Sequence, residues 1–164
     1  VHETRSVPEA GLPVARDATP EERNAIATAL DLVACKRLAA KYAVTPIGRG
    51  HYRLKGSVTI DVTQACVVTL VPLERTYTMP LDLELWPAEE LSDSDETEID
   101  TLKDDPEPIE DGRIDVGRIV HEELISGIDP YPRSEGAAFD WKDSTEAVRD
   151  NPFAQLEKLK RRSD

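Results

Sequence analysis

The stretch HYRLKGSVTIDVTQAC, residues 51–66, constrains the fold more than any other. Tyr52, Leu54, Gly56, Val58, Ile60 and Val62 recur at every second position, opposite Arg53, Lys55, Ser57, Thr59 and Asp61. Successive side chains of a strand point to opposite faces, so this pattern predicts a half-buried strand with one apolar and one polar face. RTYTMPLDLELW repeats it through Tyr77, Met79, Leu81, Leu83 and Leu85, with Pro80 on the polar side. A residue that cannot donate to the ladder suits an edge or a bulge. Between the two runs, VVTLVPLE reads as a third apolar strand, and before them LAAKYAVTPIG reads as a fourth that ends at the turn GRG. Consecutive strands on short turns predict an antiparallel meander, covered by helices on one face or partly closed into a barrel.

Helix signals flank this core. Thr19 is a candidate N-cap, Pro20 occupies the first helical position, and Glu21 and Glu22 sit where the helix dipole favours acids. Ile26, Leu30 and Val33 supply the apolar stripe, and a further helical turn is expected over residues 32–37. HETRSV and LPVARDA, joined by the turn PEAG, are expected as edge strands. Later, Asp115 caps a helix carrying Val116, Ile119, Val120 and Leu124, which Gly127 and Pro130 bring to a stop. Asn151 and Pro152 open a short terminal helix that sets Phe153, Leu156 and Leu159 on one side. The expected class is α+β with two to four packing helices. Residues 1–132 form a single domain with an acidic loop at 88–112, and residues 133–164 an extended, mobile arm.

The net charge of −13 argues at first against a nucleic-acid partner, because phosphate affinity is built from Lys and Arg. The imbalance is local. Residues 87–112 hold 12 acidic side chains and 1 basic one, whereas residues 1–50, 51–86 and 113–164 sum to +1, −1 and −2. Two surfaces for a partner follow. Asp93, Asp95, Glu96, Glu98, Asp100, Asp104 and Asp105 are candidates to hold a basic partner, or form a solvated loop. Arg53 and Lys55 on the polar strand face, with Lys158, Lys160, Arg161 and Arg162 near the end, are candidates to touch RNA or another partner.

No motif supports an enzyme. His121 and Glu122 start like a zinc-protease helix, but Ile125 stands where the second histidine belongs. A calcium loop from Asp93 fails at Glu98, where glycine is needed, and at Asp104, where a bidentate Glu is needed. Cys35 and Cys66 lack metal-ligand spacing and read as buried thiols of a reducing compartment. Phosphate-binding glycine loops and the nucleophile elbow are missing. No window has the length or apolarity of a membrane span, and the opening residues do not read as a signal peptide. A cytoplasmic single domain is therefore expected to work without catalysis, cofactor, metal or small-molecule substrate.

In order, QACVVTLVPLERTYTMPLDLELWP, an acidic insertion, DGRIDVGRIVHEELISGIDPYPR and NPFAQLEKLK resemble the YceD family, the large ribosomal RNA subunit accumulation proteins. The resemblance covers roughly residues 19–160 and carries over the positions Cys66, Pro72, Asp115 and Pro130, none of them catalytic. Many family members have a second Cys three residues after the first; here that position is Thr69, and no metal site is transferred. The resemblance implies a bacterial or organellar, non-enzymatic factor for 23S rRNA accumulation. Its expected partner is large-subunit rRNA, a precursor particle or a basic ribosomal protein, bound as a monomer. The alternative is an acidic adaptor or chaperone with no specific RNA role.

Overall fold

The computed structural model describes residues 1–92 and 106–138. The chain runs through β1 (His2–Glu3), a 3-10 turn (Thr4–Ser6), β2 (Leu12–Asp17), α1 (Pro20–Ala29), β3 (Ala34–Gly48), β4 (His51–Ala65) and β5 (Pro72–Pro87). It continues through α2 (Ala88–Ser92), β6 (Glu107–Ile109), β7 (Arg113–Ile114) and α3 (Val116–Gly127). Strands β2 to β6 form one sheet in sequence order, antiparallel up to β5, with β6 parallel beside Leu85, Trp86 and Pro87. β1 and β7 make a separate small ladder. The sheet is open, so the α+β class and the meander stand and the partly closed barrel does not. A three-residue β6 offers too little strand for β2 to close against.

The alternation of β4 does what period two requires. Leu54, Val58, Ile60 and Val62 are fully buried, while Arg53 and Lys55 are exposed on the opposite face. α3 lays Val116, Ile119 and Leu124 on the apolar face, and its cap forms as expected, with Asp115 Oδ1 accepting from the Arg118 N–H. The buried side chains form two clusters, one around Leu54, Leu81, Leu85, Ile114 and Ile119 and one around Val58, Ile60, Val62, Met79 and Leu124; Val120 packs against both. Each such side chain contributes about 1.5–3 kcal/mol on burial. Gly127 lets α3 approach β5, since a Cβ there would collide with Met79 Cγ. Pro80 also falls where expected: across residues 72–84, β5 has no strand on its outer side among the described residues.

Four expectations are corrected. Residues 34–37 are not helical, because Cys35 pairs with Val62 and Arg37 with Asp61 around a bulge, and ladder bonds override a weak local signal. VVTLVPLE is not a strand up to Pro72; residues 67–69 are the turn of the β4–β5 hairpin, leaving Val67, Leu70 and Val71 exposed and Cys66 one residue beyond β4. Continuous apolar character marked that turn as a strand, yet the β4–β5 register pairs Ala65 directly with Pro72 and leaves those residues nothing to pair with. Val33 lies outside α1 and is exposed, whereas Ile26 and Leu30 pack on the core. The first edge strand is also shorter than expected, two residues followed by the 3-10 turn. Thr19 closes a full capping box with Glu22.

Candidate interaction surface and the Cys66 turn

Because Arg53 and Lys55 alternate with the core residues of β4, both stand on the face turned away from the helices. They do not stand there as free cations. Asp82 lies directly across from Lys55 in the β4–β5 register, accepts from Arg53 Nε at 2.7 Å and sits 3.6 Å from Lys55 Nζ. The Arg53 hydrogen bond, above all, holds the Asp82 carboxyl below its ordinary range. Farther along, Lys36 pairs with Glu74, and Arg37 approaches Asp17 at 3.8 Å. Hydroxyls fill the gaps: Thr59 bonds Thr78, and Thr76 donates to Asp61. Lys41, opposite Ser57 on β3, is exposed and has no ion-pair partner among the described residues. The result is a polar mosaic with its charges largely answered, quite unlike the cationic excess that neutralises a phosphate backbone.

At one end of the sheet, the β4–β5 hairpin wraps its backbone around a thiol. The Leu70 N–H donates to the Cys66 carbonyl at 2.8 Å and the Cys66 N–H to the Val71 carbonyl at 2.9 Å, closing the turn. The Thr69 N–H then points at Cys66 Sγ from 3.4 Å. The segment after α3 returns to the same turn: Val67 N–H donates to the Pro132 carbonyl, Ser134 N–H reaches Sγ at 3.4 Å, and the Ser134 hydroxyl lies 3.5 Å from it. Hydrogen bonds from the Thr69 side chain, then from Ser134, stabilise the thiolate against its desolvation and bring the Cys66 pKa down to about 6. Burial pushes the Cys35 thiol the other way, upward. Both thiols are free. Among the described residues, no group of three His, Cys, Asp or Glu side chains could hold a metal ion.

The other family-pattern positions have structural roles. Pro72 starts β5, Asp115 caps α3, and Pro130 lies just beyond the helix, where its ring prevents continuation. Asp93, Asp95, Glu96, Glu98, Asp100, Asp104 and Asp105 fall outside the described residues. So do Lys158, Lys160, Arg161 and Arg162. The described flanks of the acidic segment are engaged: Glu90 meets His51 Nε2 at 2.7 Å, and Glu107 accepts from Arg118. The His51 ring also stacks on Trp86, with centroids 4.4 Å apart and planes 7° from parallel. Nothing in a one-dimensional pattern announces that pair, whose members are 35 positions apart and meet through the β4–β5 register.

No helix of the described residues is long and apolar enough to cross a membrane. Comparison with curated proteins found no match, and comparison with solved structures found none either. A family profile does match, over residues 54–160, from within β4 through the hairpin, the acidic segment and α3. That span is narrower than the resemblance starting near residue 19 and leaves β2, α1 and β3 outside it, yet it takes in well over half of the chain. The chain belongs to the family of the large ribosomal RNA subunit accumulation protein YceD.

Proposed function

We propose that this protein is a non-enzymatic, cytoplasmic factor in biogenesis of the large ribosomal subunit, promoting accumulation of its 23S rRNA through a basic ribosomal protein on the precursor particle. The family membership carries the reading. The choice of a protein over the RNA itself is supported by electrostatics. Arg53 and Lys55 share Asp82, and the charge excess of the chain is negative and concentrated in residues 87–112. Such a segment attracts basic polypeptides and repels phosphate, with a strength that falls as salt rises.

The test replaces Asp93, Asp95, Glu96, Glu98, Asp100, Asp104 and Asp105 with their amides in the full chain. Binding to isolated basic proteins of the large subunit is expected to drop at least tenfold at low salt, with retention on precursor particles falling in parallel. Unchanged particle binding would sink the reading and move the interface to the sheet or the C-terminal cluster. Equal binding of unrelated basic proteins would replace it with a general acidic adaptor.

A further inference from the structure

β5 is the longest strand of the sheet, and along residues 72–84 its outer side carries no strand among the described residues. Its prolines fix which backbone groups point outward there. In the unbroken β4–β5 register Pro72 lies opposite Ala65 and Pro80 opposite Ser57. Having no N–H to give to β4, both occupy positions whose backbone groups turn away from it, and strand alternation puts Glu74, Thr76 and Thr78 in the same set. The N–H and C=O groups of those residues therefore face outward between Pro72 and Pro80, and the side chains of Glu74, Arg75, Thr76 and Thr78 are exposed. Edge strands are ordinarily blunted by brevity, proline or lysine. The opposite edge of the sheet follows that rule, since β2 has six residues and carries Pro13. The window between the β5 prolines does not, because Thr76, Tyr77 and Thr78 are strong strand formers.

We infer that this edge pairs with the same edge of a second copy of the chain, antiparallel about a two-fold axis at Thr76 or Tyr77, so that two sheets become one. Charge complementarity selects the register. With the axis at Thr76, Glu74 lies opposite Thr78 of the second copy and Arg75 opposite Tyr77. With the axis at Tyr77, Thr76 lies opposite Thr78 and Glu74 opposite Pro80. Neither arrangement opposes like charges. An axis at Glu74 or Arg75 sets that residue against its own copy, and one at Thr78 or Met79 sets Glu74 against Asp82 or Glu84. Like charges directly opposite destabilise a ladder, so those registers are disfavoured. Both allowed registers exchange about six main-chain hydrogen bonds. On the core side, the half-buried Leu73 gains Met79 or Leu81 of the second copy as its cross-strand neighbour. A self-complementary edge closes on itself, so the assembly ends at two copies. This dimer takes the place of the monomer expected from the sequence, and it stands apart from the assembly reading, since it needs no ribosomal partner.

The experiment follows the full chain by sedimentation over a dilution series, with amide hydrogen exchange measured at each concentration. The mass of two chains is expected at the concentrated end. Exchange of the Glu74, Thr76 and Thr78 amides should slow as concentration rises, while the Tyr77 amide, turned toward β4, stays protected throughout. Thr76→Pro removes an outward N–H at a position equivalent to that of Pro80 and is expected to weaken the dimer at least tenfold. Thr76→Val loses the hydroxyl bond to Asp61 but keeps the N–H, and is expected to leave the dimer intact. A chain that is monomeric at every concentration would overturn the inference, as would a dimer that Thr76→Pro leaves unchanged. Protection of the Glu74, Thr76 and Thr78 amides that ignores dilution would also overturn it, naming a segment of the same chain as the cover. Should Thr76→Pro fail to fold, the exchange profile of the native chain decides alone.

Discussion

Gly56 faces Tyr42 across the β3–β4 ladder so closely that a Cβ on Gly56 would run into the Tyr42 backbone and the Lys41 carbonyl. Tyr42 cannot readily retreat, because its hydroxyl lies 2.7 Å from His2 Nε2 and its ring packs on the core. Alanine in a strand would ordinarily gain about 0.5–1 kcal/mol over glycine. Overpacking against backbone costs about 1–3 kcal/mol and wins here. Gly56→Ala is therefore expected to lower the urea midpoint by an amount equivalent to about 1–2 kcal/mol, with the slope unchanged. An unaltered or higher midpoint would show that the ladder relaxes freely at this point.

Leu70 presents the opposite case. It has φ 59° and is 77% exposed, so a β-carbon-bearing residue holds a left-handed conformation with little burial to offset it. That conformation costs an L-residue roughly 1–2 kcal/mol, and asparagine adopts it more readily. Leu70→Asn is expected to stabilise the fold by about 0.5–1 kcal/mol, read as a rise in Tm. A fall in Tm would reveal apolar contacts at the hairpin tip worth more than the relieved strain.

The Cys66 thiol gives the fold a pH dependence of definite sign. Its folded pKa of about 6 lies below the ordinary 9.0, so between pH 6 and 9 the unfolded chain holds a proton that the folded one has released. Stability then rises with pH from about 6 to about 9, is fully present above 9, and is lost as pH falls through 6. Urea unfolding across this window should show the rise in the native chain and a flatter profile in Cys66→Ala. Thiolate absorbance should titrate with a midpoint near 6; a midpoint near 9 would mean that the Thr69 and Ser134 bonds do not hold in solution.

Legibility followed the range of the interactions involved. The period-two face of β4, the N-cap at Thr19 and the Asp115 cap were all readable, because each depends on residues within a few positions. The Val67–Val71 region misled for a related reason, since apolar content says that a segment wants burial but not whether a partner strand is within reach. Arg53 and Lys55 could be placed on the polar face, whereas their neutralisation by Asp82 required the strand register, nearly thirty residues away in sequence.

By itself, the sequence determined the α+β class, the apolar faces of β4 and β5, the capped starts of α1 and α3, and the family. Local sterics, capping bonds and hydrophobic periodicity act through neighbours in the chain and leave their marks there. Only the tertiary structure decided that the sheet stays open with a parallel β6, that Ser134 closes over the Cys66 sulfur, and that β5 has no strand on its outer side along residues 72–84 among the described residues. Those outcomes depend on which distant segments share a ladder or a core, and pairing across many residues is settled by the packing of the whole chain.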